Sequence, residues 1–311
     1  MRLVTYTAGP QGAPRIGVRV GHRILDIEAA SRVQGEPLPG NMRGLLQMGR
    51  GALSRVQALA KAAQSDAGRF SAAMHEERAI RFLPPVPDPD KFLCVGKNYR
   101  AHLDELKKHD LIKEMPEEVT GFVKIVSCLV GHDAKVAKPA EVARLDYEPE
   151  LVFVIGKRAL GFNEANDDAL DYAVGVTILN DLTDRDMQKR EVASGSRFWT
   201  SKNAPGFGPL GPEIVTMDEI GDPYDLWMTC TVNGEERMRV NTREQIWKLP
   251  QILEHFSRTM PIEPGDMFST GAPGGVAVGK ANAEDLFLKP GDVVECSIEG
   301  ITTLRTTIVA P

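Results

Sequence analysis

Asp146-Tyr147-Glu148-Pro149-Glu150-Leu151-Val152-Phe153-Val154-Ile155-Gly156 reads as a strand entered through three acids. Side chains alternate along a strand, so Glu148 and Glu150 point to one face. A second apolar run, Val174-Gly-Val-Thr-Ile-Leu-Asn180, ends on Asp181, where a strand end can aim a polar group at a site. The run after Glu150 is solidly apolar, which argues against a solvated outer face. Three carboxylates with no Cys or His among them suit a hard divalent cation: Mg²⁺ or Mn²⁺, then Ca²⁺, ahead of zinc.

Outward from this stretch, 311 residues are enough for about two domains and a substantial core. Lys and Arg number 37 against 43 Asp and Glu, a net charge of -6, and no basic block is interleaved with aromatics. Nucleic acid is therefore not expected as a partner. An anionic substrate would need a local metal or Lys/Arg cluster to overcome the overall field. The four cysteines, Cys94, Cys128, Cys230 and Cys296, follow no C-x-x-C or zinc spacing, and the start lacks the apolar core of a signal peptide. No apolar stretch approaches a membrane span. The expectation is a cytoplasmic protein with free thiols and no membrane partner.

Residues 1–82 read as a small α+β domain of short strands followed by two helical stretches, the second from Ala52 to Ala63. Residues 83–90, with four prolines, form a stiff linker. Residues 91–311 are mostly β and are expected to make a rolled or barrel-like sheet. Glu263-Pro-Gly-Asp266 and Lys289-Pro-Gly-Asp292 repeat one turn before a strand, and Asn233-Gly234 marks a hairpin. Helices are expected near Gln245–Arg258 and Asn166–Tyr172. The charged segment Ala101–Glu118 is a candidate lid.

Gly274-Gly-Val-Ala-Val-Gly279-Lys280 imitates the start of a phosphate-binding loop. Ala281 stands where Ser or Thr would hold Mg²⁺, no long helix pattern follows, and the position is late in a β-rich domain. It reads as a glycine-rich turn.

Six blocks, in order, carry a resemblance to a known family. They are Val95-Gly-Lys-Asn98-Tyr99-Arg-Ala-His102, Gly121-Phe-Val-Lys124, Asp146-Tyr-Glu148-Pro-Glu150, Asn180-Asp181-Leu-Thr-Asp-Arg185-Asp-Met-Gln188, Ser201-Lys202 with Gly208-Pro-Leu-Gly-Pro212, and Pro264-Gly-Asp with Ser269-Thr270-Gly-Ala-Pro. Residues 91–310 resemble the fumarylacetoacetate hydrolase family, in its acylpyruvase and oxaloacetate decarboxylase-like branch. The resemblance implies a mixed β-roll, a metal held by Glu148, Glu150 and Asp181, a homodimer, and a lid base at His102 with Glu105 three residues on. On a helix those two would be neighbours, so Glu105 would orient His102.

Cleaving a bond beside a carbonyl requires a chelated 2-oxo acid and a stabilised enolate, which a Lewis acid provides. Lys202 is the candidate cation for the substrate carboxylate or oxyanion, and Lys124, in a β-branched run, needs a partner or ligand. Arg185 and Gln188 share a helical face and could grip a carboxylate, with Thr270 as a further donor. Pro205, Ala272 and Ile125 depart from the family's usual residues, and the resemblance implies that all three lie among pocket loops. The expected function is metal-dependent hydrolysis of a C–C bond in a 2-oxo acid or β-diketone carboxylate, of acylpyruvate or fumarylacetoacetate type. A decarboxylase, isomerase or hydratase would use the same metal site. A non-catalytic metal-binding protein is the alternative of another class.

Overall fold

The computed structural model describes residues 1–9, 12–101, 103, 117–196 and 199–311. An antiparallel meander, β1 (Arg2–Ala8), β2 (Arg15–Val20) and β3 (Arg23–Asp26), opens the chain. Asp26 ends β3 and caps the next helix by accepting from the Ala29 N–H. Three helices follow where two stretches were expected: α1 (Ile27–Gln34), α2 (Met42–Gln47) and α3 (Gly49–Ser65). The third buries Ala52, Val56, Leu59 and Ala63, one face at helical spacing. Short strands β4 (Met74–Glu76) and β5 (Ile80–Phe82) complete this part.

After the prolines come β6 (Phe92–Gly96), β7 (Thr120–Val123) and β8 (Ala134–Ala137). Two long buried strands, β9 (Pro149–Ile155) and β10 (Ala173–Asn180), lead into α4 (Arg185–Ala193) and β11 (Glu213–Thr216). The hairpin β12 (Trp227–Val232) and β13 (Glu235–Asn241) turns on Asn233 and Gly234, at φ 54° and 79°. Both residues are left-handed, as a type I′ turn demands. Then follow α5 (Leu249–Ser257), β14 (Met267–Ser269), β15 (Val293–Ile298) and β16 (Thr302–Val309).

Eleven strands make one mixed sheet, in the order β4-β3-β2-β1-β11-β10-β9-β14-β6-β7 with β5 on β1. The register Leu3↔Ile214 places the N-terminal meander edge to edge with the later strands. A five-stranded sheet, β13-β12-β15-β16-β8, lies on the other side. The fold is α+β and mostly β, and both large sheets end on different strands, so neither closes into a barrel.

The main sheet is buried on both faces. Leu151, Phe153 and Ile155 of β9 join the core shared with Met228, Cys230, Val294 and Leu304 of the second sheet. Val152 and Val154 face the other way, into the core made with Leu45, Val56 and Leu59 of the helices. This double burial explains why β9 reads as a continuous apolar run.

Both Pro-Gly-Asp turns are built alike. Asp266 returns its carboxylate to the Glu263 N–H at 2.7 Å, and Asp292 does the same to the Lys289 N–H at 2.7 Å. Two helix expectations are corrected. Asn166–Tyr172 holds only a 3₁₀ turn, Ala169–Asp171, because the Asp168 side chain takes the Leu170 N–H in a local turn. The helix expected from Gln245 begins at Leu249, since Pro250 fits only a first turn.

Candidate metal centre

The antiparallel pairing of β9 with β10 sets Pro149 opposite Asn180. Asp181, one residue past β10, donates its N–H to the Glu148 carbonyl at 2.8 Å. Glu148 and Glu150 lie on one face of their segment, and the pairing swings Asp181 onto that face. Each of the three offers a carboxylate oxygen, and these oxygens lie within 4.8 Å of one another, all buried. Burial, followed by the charges of Asp181 and Glu148, holds the Glu150 carboxyl well above the usual carboxylate range. Three hard donors crowded at this spacing and out of water fit a divalent cation, which would relieve both costs.

Buried cations already face the cluster. Lys202 Nζ lies 2.5 Å from Glu148 Oε2, 2.5 Å from Asp181 Oδ2 and 2.8 Å from Thr183 Oγ1. Burial by itself would lower its pKa, but Asp181 and Glu148 outweigh that and hold the ammonium above its ordinary value. Lys124 Nζ donates to Asp181 Oδ1 at 2.6 Å and to the carbonyls of Lys202 and Phe207. All three of its hydrogens have acceptors in the protein, so its ammonium serves Asp181 and the Lys202 loop. Arg185 spans two carboxylates, with Nε to Asp146 Oδ2 at 2.8 Å and Nη1 to Glu148 Oε1 at 2.7 Å. Its Nη1 also donates to Gln188 Oε1 at 3.0 Å, while Nη2 is buried and has no hydrogen-bond partner among the described residues. Among the described residues, four buried carboxylates, Asp146, Glu148, Glu150 and Asp181, thus meet three buried cations, Lys124, Arg185 and Lys202.

The helix α4 explains this arrangement. Its N-cap, Asp184, accepts from the Asp186 and Met187 N–H groups, and its buried face is Arg185, Gln188 and Glu191. A helix that buries only polar residues faces a site. Sequence reading named Arg185 and Gln188 and missed Glu191, although the same three-residue spacing extends to it.

Asp146 was also left without a role. It is fully buried and accepts from Tyr147 N, Ala277 N, Val278 N and Arg185 Nε. The phosphate-loop imitation at Gly274–Lys280 therefore spends two backbone N–H groups on a carboxylate of this chain.

On the far side, Ser269 Oγ and the Gly271 N–H donate to Glu150 Oε2. Gly271 has φ +87°, and a Cβ there would meet the Val95 carbonyl at 2.7 Å. Thr270 turns its hydroxyl to the Leu151 carbonyl at 3.0 Å, and its own carbonyl accepts from Asn98 Nδ2 at 2.8 Å. Asn98 also exchanges bonds with the Trp247 backbone, tying the residues before the candidate lid to this strand end. His102 and Glu105 lie outside the described residues. A separate cavity of about 770 Å³, between α3 and the Gly156–Arg158 and Thr216–Asp218 loops, contains none of the expected site residues.

The sequence profile of the fumarylacetoacetate (FAA) hydrolase C-terminal domain matches residues 91–309. The chain belongs to the fumarylacetoacetate hydrolase family. This member of the family is 34% identical over 311 residues to the mitochondrial oxaloacetate tautomerase fahd2 of Xenopus laevis, covering 99% of this chain and 90% of that one. The fumarylacetoacetate hydrolase of the psychrophilic Exiguobacterium antarcticum superposes with a TM-score of 0.77 at 30% identity, covering 100% of both chains. A maleylpyruvate hydrolase from Sphingobium sp. SYK-6, in complex with manganese(II) and pyruvate, superposes with a TM-score of 0.73 at 27% identity. That match covers 100% of this chain and 99% of the other. Among the described residues, no helix is long and apolar enough to cross a membrane.

Proposed function

We propose that this protein is a divalent-metal-dependent enzyme that interconverts the enol and keto forms of oxaloacetate or a close 2-oxo dicarboxylate. The observation that carries the reading is the buried Glu148, Glu150 and Asp181 cluster beside Arg185 Nη2, which has no partner among the described residues. The full-length likeness to an oxaloacetate tautomerase supports the choice of reaction. Mg²⁺ or Mn²⁺, held by the three carboxylates, would supply Lewis acidity toward a 2-oxo carbonyl. Arg185 Nη2 would take an oxygen of the substrate carboxylate, with Gln188 steadying the guanidinium. The Lys202 ammonium would stand against negative charge growing on the 2-oxygen. His102, oriented by Glu105, would move the proton at C3. Lys124 and Thr270 would shape this pocket from behind. A cytoplasmic homodimer goes with this reading, and light scattering tests the dimer.

The test is to follow the ultraviolet absorbance of enol oxaloacetate with Mn²⁺ present. Enzyme should speed its decay without producing pyruvate. A second reading, C–C bond hydrolysis, is favoured by the likeness to a maleylpyruvate hydrolase that binds manganese and pyruvate. It predicts pyruvate and a second carboxylic acid in equal amounts from an acylpyruvate, whereas a decarboxylase would release CO₂ with no second acid.

A further inference from the structure

We infer that Glu191 is a positioning residue that sets where the Lys202 ammonium stands, by fastening the two preceding residues to α4. This rests on the reading of Lys202 as a cation of the reaction.

Glu191 is only 7% exposed, yet no lysine or arginine pairs with it among the described residues. Its carboxylate is held by neutral donors. Oε1 accepts from the Thr200 N–H at 2.8 Å and the Thr200 hydroxyl at 2.7 Å. Oε2 accepts from the Ser201 N–H at 3.3 Å and the Ser201 hydroxyl at 2.5 Å. A carboxylate is costly to bury without a counter-charge, and four converging donors are what make it tolerable here.

The next bonds show what the clamp fixes. The Ser201 carbonyl accepts from the Asp184 N–H at 2.9 Å, and the Lys202 carbonyl accepts from Lys124 Nζ. Residues 200, 201 and 202 are thus each pinned, and the helix that pins the first two also carries Arg185. Asp184 and Lys124 hold carbonyl oxygens only, while Glu191 takes the N–H and hydroxyl groups. Lysine is a long flexible chain, so its ammonium reaches Glu148 and Asp181 reproducibly only from a fixed backbone. A fault of about 1 Å in placing a reacting group can cost roughly 10²-fold in rate.

The experiment uses the full chain with Glu191→Ala and Glu191→Gln, the second keeping one acceptor oxygen. Native protein is treated with trinitrobenzenesulfonate, and modification at Lys202 and Lys124 is read by peptide mass spectrometry. Keto–enol turnover of oxaloacetate is measured in parallel. Glu191→Ala should label Lys202 several-fold faster than wild type while Lys124 stays protected. Its kcat should fall about 10²-fold, with KM held, and Glu191→Gln should fall between. Lys202 as protected as in wild type overturns the inference, and so does equal labelling of Lys124, which would report loosening of the whole core. If wild type fails to turn over oxaloacetate, the proposed function falls and the labelling still decides the clamp. If Glu191→Ala does not fold, Glu191→Gln carries the same two criteria.

Discussion

Asp181 donates its backbone N–H to the carbonyl of Glu148 at 2.8 Å, locking the residue after one strand beside the residue before its antiparallel partner. Side chains of residues so joined emerge close together, and here both are carboxylates. The sheet ladder itself builds the like-charge cluster, and no loop has to be folded into place to complete it. Energy spent on crowding these charges is recoverable when a cation arrives.

Metal should therefore act on stability as well as on turnover. Chelation should abolish activity, and Mn²⁺ at 100 times its Kd should add about 2.7 kcal/mol to unfolding. Glu148→Gln or Asp181→Asn should lose that increment. Glu150→Gln, which removes one of three crowded charges, should melt higher than wild type without metal and gain little from Mn²⁺. Melting curves with and without Mn²⁺ check this. An unchanged wild-type curve would count against a metal site.

Arg185 is a buried bridge between Asp146 and Glu148. Truncating it to Met would leave two buried carboxylates without their shared cation, at a cost of about 3–5 kcal/mol. Arg185→Lys keeps the charge and loses the fork, so it should fold and raise KM for a dicarboxylate by roughly 10- to 100-fold. Steady-state kinetics of the lysine variant, with chemical denaturation of the methionine variant, separates the two effects.

His102→Ala should lower kcat by about 10²- to 10⁴-fold, the range of a general base, and Glu105→Gln should cost less. Mn²⁺ affinity should be equal in both variants and wild type, because neither side chain is a proposed ligand. Wild-type turnover by His102→Ala would place the base elsewhere.

Acid should release the Glu191 clamp. Burial acts to raise this carboxyl, but the bonds from Ser201 and Thr200 outweigh it and hold it below the ordinary value of 4.5. A carboxyl lower in the folded state contributes stability that is complete above the unfolded value and is lost as pH falls through the folded one. The melting-temperature gap between wild type and Glu191→Gln should thus be constant near neutrality and shrink below about pH 4.5. A gap that widens in acid would reverse the sign of the argument.

Much of this molecule was legible in one dimension. Alternation put Glu148 and Glu150 on one face, and the apolar run after them argued against a solvated outer face. The Pro-Gly-Asp repeats and Asn233-Gly234 named their turns, because turn geometry depends on a few adjacent residues. The helix boundaries at Leu249 and Ala169 were missed where Pro250 and Asp168 decided locally against the longer periodic pattern.

What tertiary structure alone decided is how the polar side chains are spent. Lys124 and Arg185 both looked like substrate ligands. Packing gives every hydrogen of Lys124 to Asp181 and two carbonyls, but leaves one nitrogen of Arg185 without a partner among the described residues. Asp146 reads as one more acid of the motif, yet it holds an arginine and a glycine-rich turn 131 residues away. Glu191 carries no mark in the sequence beyond its three-residue spacing from Gln188, and its role comes only from Thr200 and Ser201 folding onto it. Local patterns specify the backbone because its bonds lie near in sequence. The partners of a buried charge come from far along the chain, and only the closed sheet says which ones arrive.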